Sequence, residues 1–188
     1  MQNPYLSIWT KPKETFRLFF KERPSKSVYK LPFVVLGISL ALNVGQDIFQ
    51  VLGADSSLTT KILVYLFLTP FTIGLVFLFM GLIQPWMIKI VGNIWNGEAS
   101  RKEIANVNAL SYIPACLIVI YQLTLLIIGQ EPSTDNINIL FHYAIWILTF
   151  SFFIIGLSIV QKFSYGIALL NFFISILPFI ILRLMLSY

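Results

Sequence analysis

Asp47 and His142 are ionisable side chains near the ends of long apolar runs, and a charge near hydrocarbon is costly enough to mark a candidate site. Asn43 and Gln46 lie a turn or less from Asp47, so this stretch could form a polar patch facing the start of the fourth apolar run, where His142 stands. The competing reading makes Asp47 a hydrated interfacial residue and His142 a neutral imidazole at headgroup depth. Two such groups fall short of the three or four ligands that a metal site requires, and no metal or other cofactor is expected. Cys116 is the one cysteine and has no evident base beside it, which fits an inert buried thiol. There is no HExxH pair, no nucleophile elbow, no phosphate-cradling glycine loop and a single histidine, so the sequence does not read as an enzyme.

The elements that carry these residues are five apolar stretches at 31–52, 62–84, 105–129, 138–160 and 166–187. Each meets the length of about 20 residues needed to cross ~30 Å of hydrocarbon. With 57% hydrophobic and 11% charged residues, the chain has too little polar surface for a water-soluble globule. The expected fold is an all-α membrane protein: five transmembrane helices at 31–188 preceded by an amphipathic cytoplasmic segment at 1–30. No cleavable signal peptide is visible at the start. Of the 13 Lys and Arg, eleven fall on one side of such a topology, leaving only Lys61 and Arg183 opposite. The positive-inside rule therefore puts the N-terminus in the cytoplasm and the C-terminus outside.

The N-terminal segment has its own pattern. Asn3 before Pro4 and Thr10 before Pro12 mark two helix starts. Phe16, Phe19 and Phe20 then recur at helical spacing beside Lys13, Arg17 and Lys21. This predicts an interfacial helix whose phenylalanines enter the acyl boundary while the cations meet anionic phospholipids, with Tyr5, Ile8 and Trp9 anchoring the turn before it. Seven basic residues against Glu14 and Glu22 give the segment a charge equal to the net +5 of the whole chain. The aromatics share one apolar face instead of interleaving with the cations, which argues against nucleic acid.

Between the second and third runs, Asn96-Gly97 is a turn signal, and Ser100 with Glu103 forms a capping box opening a helix. An ordered loop would hold Trp95, Asn96, Arg101 and Lys102 at the same membrane surface as Trp9 and Arg17. These six are the candidate residues for binding a protein partner. Pro70, Pro114 and Pro178 predict kinks, with Ser111 placed to satisfy a freed carbonyl, and Gly74 and Gly81 suggest a close helix contact. Pro132 and Ser133 suit a turn in the spacer 130–138.

The opening Asn3-Pro4-Tyr5-Leu6-Ser7-Ile8-Trp9-Thr10-Lys11-Pro12 resembles the start of the Yip domain family, the Ypt/Rab-interacting multispan membrane proteins. Gly97-Glu98-Ala99-Ser100 leading to Leu110-Ser111-Tyr112-Ile113-Pro114 is similar to the family's central segment, and Phe163-Ser164-Tyr165-Gly166 to its final loop. The resemblance implies five membrane helices, a cytoplasmic N-terminus and no catalytic residues. With about 30 residues before the first span, it implies a compact member of bacterial type in an inner membrane, in place of a Rab partner. The expected function is a non-catalytic membrane scaffold or adaptor that recruits a membrane or cytoplasmic protein. Transport of a lipid or solute, or service as an exporter subunit, is the alternative. Homo-oligomerisation stays open.

Overall fold

In the computed structural model, residues 3–22, 28–52, 57–128 and 136–187 are described, and among them every regular element is helical. The helix starts sit where their caps demand. The Asn3 side chain accepts the Tyr5 N–H at 3.0 Å and Pro4 occupies the first helical position of α1 (Pro4–Ser7). Proline again opens α2 (Pro12–Glu22), and the Thr15 hydroxyl donates to Ser7 Oγ at 2.9 Å, fixing the two short helices to each other.

Five long segments follow. They are α3 (Lys30–Leu52), α4 (Leu58–Val76) with its continuation α5 (Gln84–Gly92), the pair α6 (Arg101–Ser111) and α7 (Cys116–Ile128), α8 (Asn136–Gln161), and α9 (Tyr165–Leu186). Four helices are long and apolar enough to cross a membrane, or five if α6 and α7 count as one broken span. Two departures from the expected spans matter. The second run continues as helix over Thr59–Trp95, 37 residues, or about 55 Å at 1.5 Å per residue. That exceeds ~30 Å of hydrocarbon, so one end projects beyond it unless the helix is steeply tilted. The third run bends by 45° between α6 and α7, with Pro114 in the break. Pro70 and Pro178, by contrast, lie inside α4 and α9. The expected turn at Pro132 and Ser133 lies outside the described residues.

A π-helical segment, Phe77–Ile83, joins α4 to α5. Its register leaves the Gln84 N–H on the carbonyl of Phe79, so the Met80 carbonyl would next look to residue 85, which is proline and has no N–H. Asn108 on α6 supplies the donor instead, its Nδ2 lying 2.8 Å from that carbonyl and 3.2 Å from Gln84 Oε1. Ser111 does not serve the carbonyl freed at Pro114; its hydroxyl donates to Val107 O at 2.7 Å.

The closest helix contact is also not the one expected. A Cβ on Gly74 would meet nothing within 4 Å, and one on Gly81 would reach Phe33 at 3.3 Å. The intimate face belongs to α3, where Gly37, Ala41 and Gly45 recur every four residues. A Cβ on Gly37 would stand 2.6 Å from Ile73 Cα and one on Gly45 2.5 Å from the Tyr65 ring. The Thr72 hydroxyl crosses this seam to the Gly37 carbonyl at 2.8 Å.

The largest buried apolar cluster lies where α1, α2, α6 and the last turns of α8 meet, and it corrects the expectation for the N-terminal aromatics. Phe16 is 0% and Phe19 5% exposed, packed with Ile8, Ile104, Val107 and Leu157. Phe20 is partly buried against the same cluster. These rings are spent on the protein interior, and Ile8 with them. The amphipathic pattern was real, but its apolar face covers α8 rather than lipid.

Candidate functional site

Two helix corners lie side by side at the end of the bundle that carries α2, here termed the basic end. Each terminates in a residue with left-handed backbone: Asn96 (φ 56°) after α5 and its 3-10 turn Asn93–Trp95, and Lys162 (φ 58°) after α8. In both, the following N–H folds back across the last turn, Gly97 to the Gly92 carbonyl at 3.0 Å and Phe163 to the Ser158 carbonyl at 2.9 Å. This is the Schellman geometry, usually given to glycine because a Cβ is crowded there. Each corner then starts a new helix from a serine cap. Ser100 and Glu103 complete the expected capping box, and Ser164 Oγ accepts the Ile167 N–H at 3.4 Å.

Gln161 locks the corners together. Its side chain is 1% exposed, and its Oε1 accepts the Ala99 N–H at 3.2 Å. Gly92 lets the two amides approach closely, since a Cβ there would stand 2.6 Å from Gln161 Nε2 and 3.0 Å from Asn171 Nδ2 and displace them. Those two amide nitrogens are buried without an acceptor. Outside this lock, Lys162 pairs with Glu98, and Trp95 meets the Phe163 ring edge-on at 6.4 Å.

α2 closes the third side. Phe16 enters a notch where a Cβ on Gly156 would approach both its ring and Val107 at 2.8 Å. Lys13 reaches over the Tyr165 ring at 6.0 Å. The result is an open cavity of about 380 Å³ between α2 and the α8–α9 corner. Its cationic lining comes from Lys13, Arg17 and Lys162, and its floor from Ser158, Ile159 and Phe163, with Ser164 and Tyr165 beside them. Burial against the apolar cluster around Phe16 pushes the Tyr5 phenol above its ordinary pKa.

The residues singled out from the sequence divide unevenly. Arg17 borders the cavity, and Trp95 meets the ring of Phe163, which also lines it. Trp9, Asn96, Arg101 and Lys102 are exposed, the last two in the first turn of α6. Lys13 lines the cavity, while Lys21 is exposed in the last turn of α2. Asp47 is exposed on α3. His142 places Nδ1 2.8 Å from the Asn138 carbonyl of its own helix and meets the Tyr121 ring of α7 edge-on at 6.1 Å. Polar bonds join helices at that end: Gln122 accepts from Ser39 Oγ and donates to Asn43 Oδ1, and the Tyr121 hydroxyl donates to Asn138 Oδ1, all at 2.8 Å.

Sequence reasoning passed over Gln161, Lys162, Ser164 and Asn106 as site residues. Asn106, fully buried, accepts the Val28 N–H at 3.0 Å and so fixes the chain entering α3. A polar break followed by serine before an apolar run, as in Gln161-Lys162-Phe163-Ser164, was a legible cap signal; the convergence of that corner with α2 was not. Among the described residues no three His, Cys, Asp or Glu side chains group as metal ligands. No protein family model matches the chain, no curated protein is similar to it, and no solved structure matches its fold.

Proposed function

We propose that the chain is a non-catalytic integral membrane scaffold or adaptor whose working surface is its basic, cytoplasmic face. One observation carries this reading. Segments remote in sequence, 3–22, 92–104 and 156–166, interlock through Phe16, Gly156, Gln161 and Ala99 into a single platform bearing exposed Trp9, Arg17, Arg101 and Lys102. A surface held by buried contacts is preorganised, which lowers the ordering cost of binding a protein partner. The stretches that resemble the Yip domain family overlap each of these segments, and that resemblance supports a compact member in a bacterial inner membrane. The test is affinity recovery of crosslinked partners from native membranes. Replacing Trp9, Arg17 and Arg101 together by alanine is expected to abolish recovery while membrane abundance stays unchanged; unaltered recovery would reject the reading.

A second reading is favoured by the π segment, which Asn108 of α6 bonds at Met80, and by the 45° break one turn beyond Asn108. Discontinuous helices with polar side chains between them build central sites in transporters. Lipid or solute movement by the purified protein in liposomes, lost on substituting Asn108, would support transport over scaffolding.

A further inference from the structure

We propose that the open cavity between α2 and the α8–α9 corner is a phosphate-binding site, taking the phosphate of an anionic lipid headgroup or of a free phosphate. Lys13, Arg17 and Lys162 come from two distant segments and converge on a space of about 380 Å³. Among the described residues neither Lys13 nor Arg17 is in an ion pair, and Lys162 shares only the exposed Glu98. Three cations around one cavity repel, and an anion between them reverses that cost. The guanidinium of Arg17 offers two parallel donors to phosphate oxygens.

The cavity wall adds donors of a second kind. Ser164 caps the 22-residue helix α9, and the Tyr165 and Gly166 N–H groups ahead of Ile167 have no intrahelical acceptor. Their positive dipole end opens beside Lys162. A Cβ on Gly166 would meet nothing within 4 Å, so that side of the helix start is open. The cavity sits at the junction of two helices apolar enough to span, Asn138–Gln161 and Tyr165–Leu186, and so at the membrane-surface end of both. Ile159, Phe163 and the Tyr165 ring provide an apolar side for the glycerol and first methylenes of a lipid. The site does not depend on the adaptor reading.

The test uses the full chain in zwitterionic detergent. Native mass spectrometry measures retained phosphatidylglycerol against phosphatidylcholine, and thermal unfolding is followed with and without inorganic phosphate. Wild type is expected to retain phosphatidylglycerol selectively. Arg17→Gln and Lys162→Gly should each weaken retention about fivefold, the effect of removing one cation near a phosphate, while Lys61→Gln changes nothing. Glycine accepts the left-handed backbone at 162, so loss of fold does not explain that variant. Stabilisation by inorganic phosphate that vanishes in Arg17→Gln assigns a free phosphate as a sufficient ligand; Arg17-dependent lipid retention without it assigns a headgroup. Retention and stabilisation that are both unaltered by Arg17→Gln would overturn the site.

Discussion

Along α9 the first three turns bury Ala168, Asn171 and Ser175 against neighbouring helices, whereas beyond Ser175 the same helix exposes Leu177, Phe179, Ile180 and every residue on to Leu186. The α4–α5 segment repeats the contrast in reverse order. Leu66, Phe67 and Phe71 are more than half exposed near its start, and Ile88 and Val91 are buried near its end. The difference follows from the solvent each end meets. Lipid is as apolar as leucine, so a helix surrounded by it gains little from packing its apolar side chains on a neighbour, and small-residue seams such as Gly37-Ala41-Gly45 do the joining. At the basic end, where the helices turn and the charged side chains gather, apolar side chains such as Phe16 and Ile104 are buried.

The contrast breaks most sharply at Phe16. Replacing this fully buried ring by alanine should cost about 3–5 kcal/mol, because Gly156 and Val107 form a notch shaped to it. Phe71→Ala, at a ring 63% exposed, should change stability by less than about 0.5 kcal/mol. Unfolding in mixed micelles, read by tryptophan fluorescence, compares the two. Equal losses would mean that α2 is not part of the folded core.

Much of this division was readable beforehand, and the failures have a common cause. Local signals held: Asn3 and Pro4, the Asn96-Gly97 turn and the Ser100–Glu103 capping box all act within a few residues of themselves. Helical spacing correctly showed that Phe16 and Phe19 share a face. It could not show what lies opposite, because an apolar stripe suits a lipid surface and a protein surface equally. For the same reason Gly74 drew attention while Gly37 did not: a glycine's role is set by the residue facing it, here Ile73 on another helix. The cavity depends on α2 docking beside residues 158–165, a tertiary event with no counterpart in the spacing of either segment.

A smaller effect sharpens the contrast for polar residues. Asn108→Ala would strip the Met80 carbonyl of its donor in a buried setting, at a cost of about 1–3 kcal/mol. Asn43→Ala removes one half of a clamp whose Asn43 end is exposed, and side-chain bonds between membrane helices average about 0.6 kcal/mol. Should Asn108→Ala prove no more damaging than Asn43→Ala in the same micelle titration, the polar bonds at the two ends would be equivalent and the π segment would not need α6.

The smallest expected effect decides what Asn96 is for. It was a candidate for partner binding by virtue of its polar side chain, yet its backbone sits at φ 56°, where a Cβ is crowded and asparagine is among the few side chains tolerated. A backbone role and a binding role make opposite demands on two substitutions. Asn96→Gly keeps the left-handed cap and removes the side chain, so a backbone role predicts stability within a few tenths of a kcal/mol and unchanged partner recovery. Asn96→Ala also removes the amide but must force alanine into the same region, at about 1 kcal/mol, and a thermal-unfolding series should show it below both glycine and wild type. Because Gly97 returns its N–H to Gly92 through this residue, the strain would be felt where Gly92 faces Gln161, and so at the lock between the two corners. A loss of partner recovery in Asn96→Gly with stability intact would show instead that the side chain is read from outside.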